Sequence, residues 1–364
     1  MHSLIRREWP LALSCGTAAV FYLRHDALLA RMESPLWAAL AFAWLFVVIL
    51  LSAFAVVRHS ESLAVLLGEP FGTLVLTLAV TAIEVMMIAA VMLTGPPVSF
   101  LARDTMFAVI MIVFNGMVGL SLILGGRRYR EQTYNLQGAN AFLAVIVPLA
   151  VLGLVLPNYT ESSPGPTLSP LHETFLIVTS LWLYGVFLSI QTARHREYFL
   201  GPEEKAQSHS TEKPRSRAWH GVLLLAYIVP IVLLSKQIAV PIEFAVNHFG
   251  APDAVVGFLV AALVLSPESL AAARSALANQ LQRSINLLLG SVLASISLTI
   301  PAVLAIGLAT DRTVILGLPA VDSILLVLTL AISTLTFASG RTNVLLGAVH
   351  LLLFFAYLML IFER

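Results

Sequence analysis

Long apolar runs, cut by short charged or proline- and glycine-rich breaks, fill almost the whole chain. They fall near residues 9–24, 35–57, 70–94, 105–125, 138–157, 170–192, 218–235, 253–275, 284–309, 318–338 and 342–362. A helix needs roughly 20 apolar residues to cross the hydrocarbon core of a bilayer. The pattern therefore predicts an all-α membrane protein of about eleven transmembrane helices. The first run is the weakest, because Arg24 and His25 interrupt it early. Arg6-Arg7 ahead of Trp9–Leu23 resembles a signal peptide, but the apolar stretch before Cys15 is too short for an h-region of roughly 7–15 residues. The segment is read as a retained first helix.

The only substantial hydrophilic stretch is Arg194–Arg217, which mixes Lys/Arg with Glu in no repeating pattern and reads as a solvated linker. With the first helix set aside, five predicted spans precede it and five follow. The expected organisation is an N-terminal segment and helix (1–34), a first five-helix repeat (35–192), a cytoplasmic linker (193–217) and a second five-helix repeat (218–364). Five is odd, so the halves enter the membrane from opposite sides, the inverted-repeat plan of secondary transporters. Pairwise identity between the halves is slight, and the repeat rests on layout. Most of the 21 lysines and arginines fall on the side of the N-terminus and the linker. By the positive-inside rule these are cytoplasmic and the C-terminus is outside, which for a multi-pass protein of this kind implies the inner membrane.

Composition adds an exclusion. The chain is 59% hydrophobic and 11% charged, with mean hydropathy +0.90 over 364 residues. Soluble domains carry about 25% charged residues, so the lipid bilayer must be the solvent. A formal net charge of +1 gives no field for nucleic acid. One cysteine, Cys15, rules out an internal disulfide.

Two glutamates stand where charge is most expensive. Glu84 and Glu268 each fall near the middle of the second helix of their half, and a charge there costs at least ~2.5–3.5 kcal/mol on insertion scales. Such residues face a cavity, pair, or serve an ion path; a carboxyl that only holds a neighbouring helix is the plainer alternative. Thr73, Thr77, Thr81 and Glu84 share one helix face. Around the second glutamate the chain reads Leu265-Ser266-Pro267-Glu268, and Pro267 leaves the carbonyl of Leu263 without its donor, as in the broken helices of transporter sites or in a packing kink. Ser291, Ser295 and Thr299 follow at fourfold spacing, suited equally to ligation and to close helix packing. The candidate cation ligands are Glu84, Glu268, Thr81, Ser266 and Ser291, with Glu84 and Glu268 also the proton carriers. Two carboxylates balance one Ca²⁺, whereas one Na⁺ leaves a negative charge over. Protons can replace the cation, because burial and mutual repulsion favour the neutral acids. A transporter that changes its facing only when the pair is neutral exchanges cation for protons and does not leak.

Other polar residues carry less. His350 suits a hydrogen-bonded structural role better than a proton relay. Asp104 reads as an N-cap, Asp322 as a cap or cation way-station, and Arg58-His59-Ser60-Glu61 as a solvated inner face. A cation channel would need filter loops or rings, and an intramembrane enzyme an activated nucleophile or metal cluster; neither pattern is visible, and no cofactor is implied.

Several motifs are similar to one family. Val57-Arg58-His59 leads to Gly68-Glu69-Pro70-Phe71-Gly72 and Glu84, followed by Arg103-Asp104-Thr105, Gly125-Gly126-Arg127 and Tyr134-Asn135-Leu136. The second half carries Leu265-Ser266-Pro267-Glu268, Asn279-Gln280, Gly290-Ser291 and Ser339-Gly340-Arg341-Thr342-Asn343. From about residue 50 to the end the chain resembles the ChaA-type calcium/proton antiporters of the cation/calcium exchanger superfamily. The resemblance implies alternating access, Glu84 and Glu268 as the cation- and proton-binding pair, and Ser291 as a small polar neighbour. It also implies that the second and third helices of each half frame the site while the first helix of each half slides. Other branches of the family place a glycine-asparagine pair three residues before each glutamate, where this chain has Val80-Thr81 and Val264-Leu265. The asparagine ligands therefore do not carry over, and Ca²⁺/H⁺ exchange and Na⁺ or K⁺/H⁺ exchange on the same scaffold both stay open.

Overall fold

The computed structural model describes residues 8–32, 34–67, 71–94, 100–201, 216–250, 252 and 254–363. Arg6, Arg7, the Gly68-Glu69-Pro70 motif and most of the linker lie outside the described residues, as does the side chain of Thr73. The described chain is helical nearly throughout. Its long helices are α1 (Trp9–Leu23), α2 (Pro35–Leu67), α3 (Phe71–Thr94), α4 (Leu101–Tyr129), α5 (Leu136–Leu154) and α6 (Pro170–Ser189). After the linker come α7 (Arg217–Phe249), α8 (Ala254–Leu277), α9 (Leu281–Thr310), α10 (Ala320–Thr336) and α11 (Val344–Phe362). Each predicted span is met by one helix in the predicted order: one, then five on each side of the linker.

Local chemistry sets several boundaries. The side chains of Asn135, Ser169, Ser216 and Asn343 accept from backbone N–H groups of the first turns of α5, α6, α7 and α11. Gly250 ends α7 in the left-handed conformation, at φ 65°. Two helices outrun their apolar segments. α2 continues past Arg58 to Leu67, and α7 runs through Pro230, Lys236 and Pro241 to Phe249. At 33 residues each, they measure about 50 Å, more than the ~30 Å hydrocarbon core, so their ends can carry charge outside it.

The helices pack as two compact units, Met1–Val98 with Pro214–Pro267, and Ser99–Lys213 with Glu268–Arg364. Each unit takes helices from both halves of the chain. In the first, α7 packs on α1, α2 and α3, and α2 also packs on α1 and α3. Leu45, Ile49, Val56, Tyr227, Ile231 and Leu234 lie buried within it. In the second, α4 packs on α11, α9 on α5 and α6, and α10 on α11. Gln132–Thr133 and Arg341–Thr342 pair there as a short antiparallel ladder, Gln132 opposite Thr342. Large apolar side chains face outward, among them Leu171, Phe175 and Trp182 on α6 and Leu352, Phe355 and Met359 on α11, as lipid as solvent requires.

The start of the linker departs from the expectation of a solvated segment. Residues Arg196–Phe199 form a 3₁₀ turn, and Phe199 is buried edge-on against Phe142 and Phe187. The Asn286 amide donates to the Phe199 carbonyl at 2.6 Å, which ties this turn to α9.

Candidate functional site

Glu84 lies near the middle of α3 and is 2% exposed; Thr81, one turn earlier, is 5% exposed. Thr77 is half-buried on the same face, and Ile83, Met87 and Ile88 bury the neighbouring positions. Within the first packing unit, a carboxyl and two threonine hydroxyls thus share one face of a largely apolar helix.

Glu268 is equally enclosed in α8. The Ser291 hydroxyl, reaching from α9, hydrogen-bonds its carboxyl. Its Oε2 is buried with no hydrogen-bond partner among the described residues. The expected break at Pro267 is absent, because α8 runs continuously from Ala254 to Leu277. The proline removes one backbone donor, and the turns on either side hold the helix together. The Ser266 hydroxyl donates to the Ala262 carbonyl of its own helix, leaving the oxygen's lone pairs to accept.

α9 is not regular beyond Ser291. Ser295–Thr299 forms a π-helical segment in which the Ser297 and Thr299 hydroxyls are buried with no partner among the described residues. α4, the third helix of the first half as α9 is of the second, carries its own π-segment at Met111–Met117. Such irregular turns are frequent at functional sites, because they re-aim side chains without ending the helix.

The π-segment of α4 presents Asn115, which is fully buried. Its amide donates to Thr329 at 2.8 Å, and its carbonyl lies 3.3 Å from Nδ1 of His350. Nε2 of His350 in turn lies 2.9 Å from the Thr336 hydroxyl. His350 thus has a hydrogen-bonded structural setting, in a chain joining α4, α10 and α11. Replacing His350 by Ala leaves Asn115 and Thr336 each short of a partner, and should lower stability by about 1–3 kcal/mol. A lower melting temperature in detergent is the check.

Two other readings change. Asp104 is not an N-cap: Phe100 holds that position, and Asp104 lies in the first turn of α4, 2.8 Å from the guanidinium of Arg103. Asp322 likewise lies inside the first turn of α10, buried, with Pro319 at the cap position.

Residues 37–193 and 219–363 match the family described as "Sodium/calcium exchanger protein". The chain belongs to the sodium/calcium exchanger family. It is 46% identical over 311 residues to a putative ionic transporter, y4hA, of Sinorhizobium fredii, covering 85% of each chain. It is 42% identical over 319 residues to the sodium-potassium/proton antiporter ChaA of Escherichia coli, covering 86% of each. Its fold is similar to that of the H⁺/Ca²⁺ exchanger CAX, with a TM-score of 0.72 at 16% identity over 97% of this chain and 88% of that one.

For a family member read from its residues, two features went unrecognised. Asn115 is a lone amide in a long apolar run, and the cost argument that singled out the glutamates applies to it too. Arg58-His59-Ser60-Glu61, expected to be solvated, is largely enclosed: His59 is 2% exposed and Ser60 is fully buried. The reason is pairing, since Arg58 and His59 meet Glu8 and His59 also meets His220, contacts 50 to 161 residues apart in sequence.

Proposed function

We propose that the protein is a secondary active cation/proton antiporter working by alternating access, with Glu84 and Glu268 each holding cation or proton in turn. The observation that carries this reading is a buried carboxyl in each half of an apolar, membrane-spanning chain, each with a hydroxyl at hand. Thr81 shares the helix face of Glu84, and Ser291 hydrogen-bonds Glu268. Both carboxyls are enclosed by apolar neighbours, so leaving either ionised without a cation is costly. Proton and cation then compete for the same oxygens, which couples their movements. Thr81, Ser266 and Ser291 are the proposed neutral ligands, and the proposed setting is the inner membrane with the N-terminus cytoplasmic.

Ca²⁺ is the proposed cation, because its charge balances two carboxylates and hard cations of this type take six to eight oxygen ligands. Na⁺ or K⁺ is the second reading, favoured by the 42% identical Escherichia coli relative named a sodium-potassium/proton antiporter. Cation-dependent proton flux in inverted vesicles separates the two. Addition of Ca²⁺ should collapse an imposed proton gradient at micromolar to millimolar concentration. A response to Na⁺ or K⁺ with none to Ca²⁺ would exclude the calcium assignment, and current without coupled proton movement would exclude antiport.

A further inference from the structure

Within the first packing unit, α2 and α7 meet through two histidines. His59, two turns before the end of α2, and His220, in the first turn of α7, bring their Nδ1 atoms to 2.9 Å. Both residues are buried. The other ring nitrogen of His59, Nε2, lies 3.3 Å from Oε2 of Glu8. That same oxygen accepts from the Tyr227 hydroxyl at 2.8 Å and from the Arg58 guanidinium at 2.7 Å. Burial raises the pKa of Glu8, but the Tyr227 hydrogen bond, the charge of Arg58 and the contacts with His59 outweigh it and hold the carboxyl below its ordinary value. An ionised Glu8 accepts only, so it favours a proton on Nε2 of His59.

Counting protons shows what this arrangement tolerates. Two nitrogens at this separation share one hydrogen. With Nε2–H of His59 donating to Glu8, its Nδ1 accepts and Nδ1–H of His220 donates. One further proton fits on Nε2 of His220 without disturbing that bond. The next has only Nδ1 of His59, where it would face the N–H of His220. Two donors would then oppose each other, each on a cationic ring. Apart from Glu8, His220 and Tyr227, the titratable or charged groups nearby are Arg58 and Glu61 on α2 itself and Arg217 at the start of α7, whose guanidinium donates to the Leu66 carbonyl of α2 at 3.0 Å. Farther along the packed helices, α1 carries Cys15 and Tyr22, the latter donating to the Leu233 carbonyl of α7, and α3 carries Glu84 at its middle.

We propose that the His59–His220 pair is a proton-sensitive clasp between α2 and α7, closed while the pair carries at most one positive charge and opened when acid supplies the second. α3, which carries Glu84, packs on both clasped helices. Opening the clasp therefore loosens the support of Glu84, and the effect on exchange rests on the antiport reading.

Two measurements on the full chain decide it. Histidine ¹⁵N NMR of the wild-type protein in lipid nanodiscs should show one Nδ1–H···Nδ1 pair at pH 7.5 and its loss by pH 5. Absence of the pair at pH 7.5, or its survival at pH 5, overturns the clasp. In vesicles, wild-type exchange should fall severalfold between pH 7.5 and 5.5, as acid supplies the second proton. His220→Gln should keep the rate at pH 7.5 and lose less than about twofold at pH 5.5, because its amide can donate to a neutral His59 or accept from a charged one. Equal acid losses in the two proteins overturn the proposal. Wild type without exchange at any pH counts against antiport, and the NMR measurement then decides the clasp alone.

Discussion

Glu84→Gln and Glu268→Gln should each cut cation-dependent proton flux by about 100-fold or more, equivalent to roughly 3 kcal/mol. The amide matches the carboxyl in shape and can still hydrogen-bond, so folding should survive. It can neither release a proton at working pH nor offset the charge of a cation, and both halves of the exchange cycle lose their carrier. The two positions should be comparably sensitive, since each is the buried mid-helix carboxyl in the second helix of its own half. Ser291→Ala tests a lesser contribution, because it removes the hydroxyl that hydrogen-bonds Glu268 and a bond to a charged group is worth about 1.5–3 kcal/mol. Its flux should lie between those of wild type and Glu268→Gln. The comparison is made in inverted vesicles at matched protein content. Full exchange by either glutamine variant would remove that glutamate from the mechanism.

The same cost of polarity in lipid explains how much of this molecule was legible in its sequence. Eleven helices could be read because a chain crossing hydrocarbon must satisfy its backbone internally and show apolar side chains outward. Their ends were less legible. The apolar runs stop near Arg58 and Lys236, but a helix does not end where its hydrophobicity does, and α2 and α7 continue beyond both residues. Glu84 and Glu268 announced themselves because a carboxyl in the middle of an apolar run is expensive wherever the chain folds. Asn115 is the uncharged version of the same signal, and its partners Thr329 and His350 are far along the chain. The clasp was invisible for a related reason: Glu8, His59 and His220 come from three separate segments, and each looks like an ordinary charged helix end. Packing was hidden as well. The sequence divides into two halves around a linker, whereas each compact unit draws helices from both, and contacts between helices leave no mark in the hydropathy of either.

The second large effect should come from a position with no chemistry at all. α4 and α11 cross at Gly119 and Gly347 so closely that a Cβ at Gly347 would lie 2.8 Å from the Gly119 carbonyl oxygen and 3.0 Å from the Ile123 amide nitrogen. A Cβ at Gly119 would in turn meet the Gly347 oxygen and the Leu351 nitrogen at 3.0 Å. These are backbone atoms, so no rotamer change relieves the clash and the helices must separate. Small residues that let two backbones approach are a main means of helix association in lipid. Separation here would also strain the Asn115–His350 contact, which lies one turn along both helices from the crossing. Gly347→Leu should therefore lose more than the ~1–3 kcal/mol typical of overpacking, seen as a markedly lower melting temperature and little correctly inserted protein. Gly119→Ala and Gly347→Ala should destabilise less, and together by less than their sum, because one displacement relieves both. Gly185→Ala and Gly221→Ala serve as controls, since nothing lies within 4 Å of a Cβ at either site. There alanine should be neutral or stabilising, by up to ~1 kcal/mol from helix propensity. If Gly347→Leu melted like wild type, the close crossing would not exist, and the placement of Asn115 against His350 would lose its support with it.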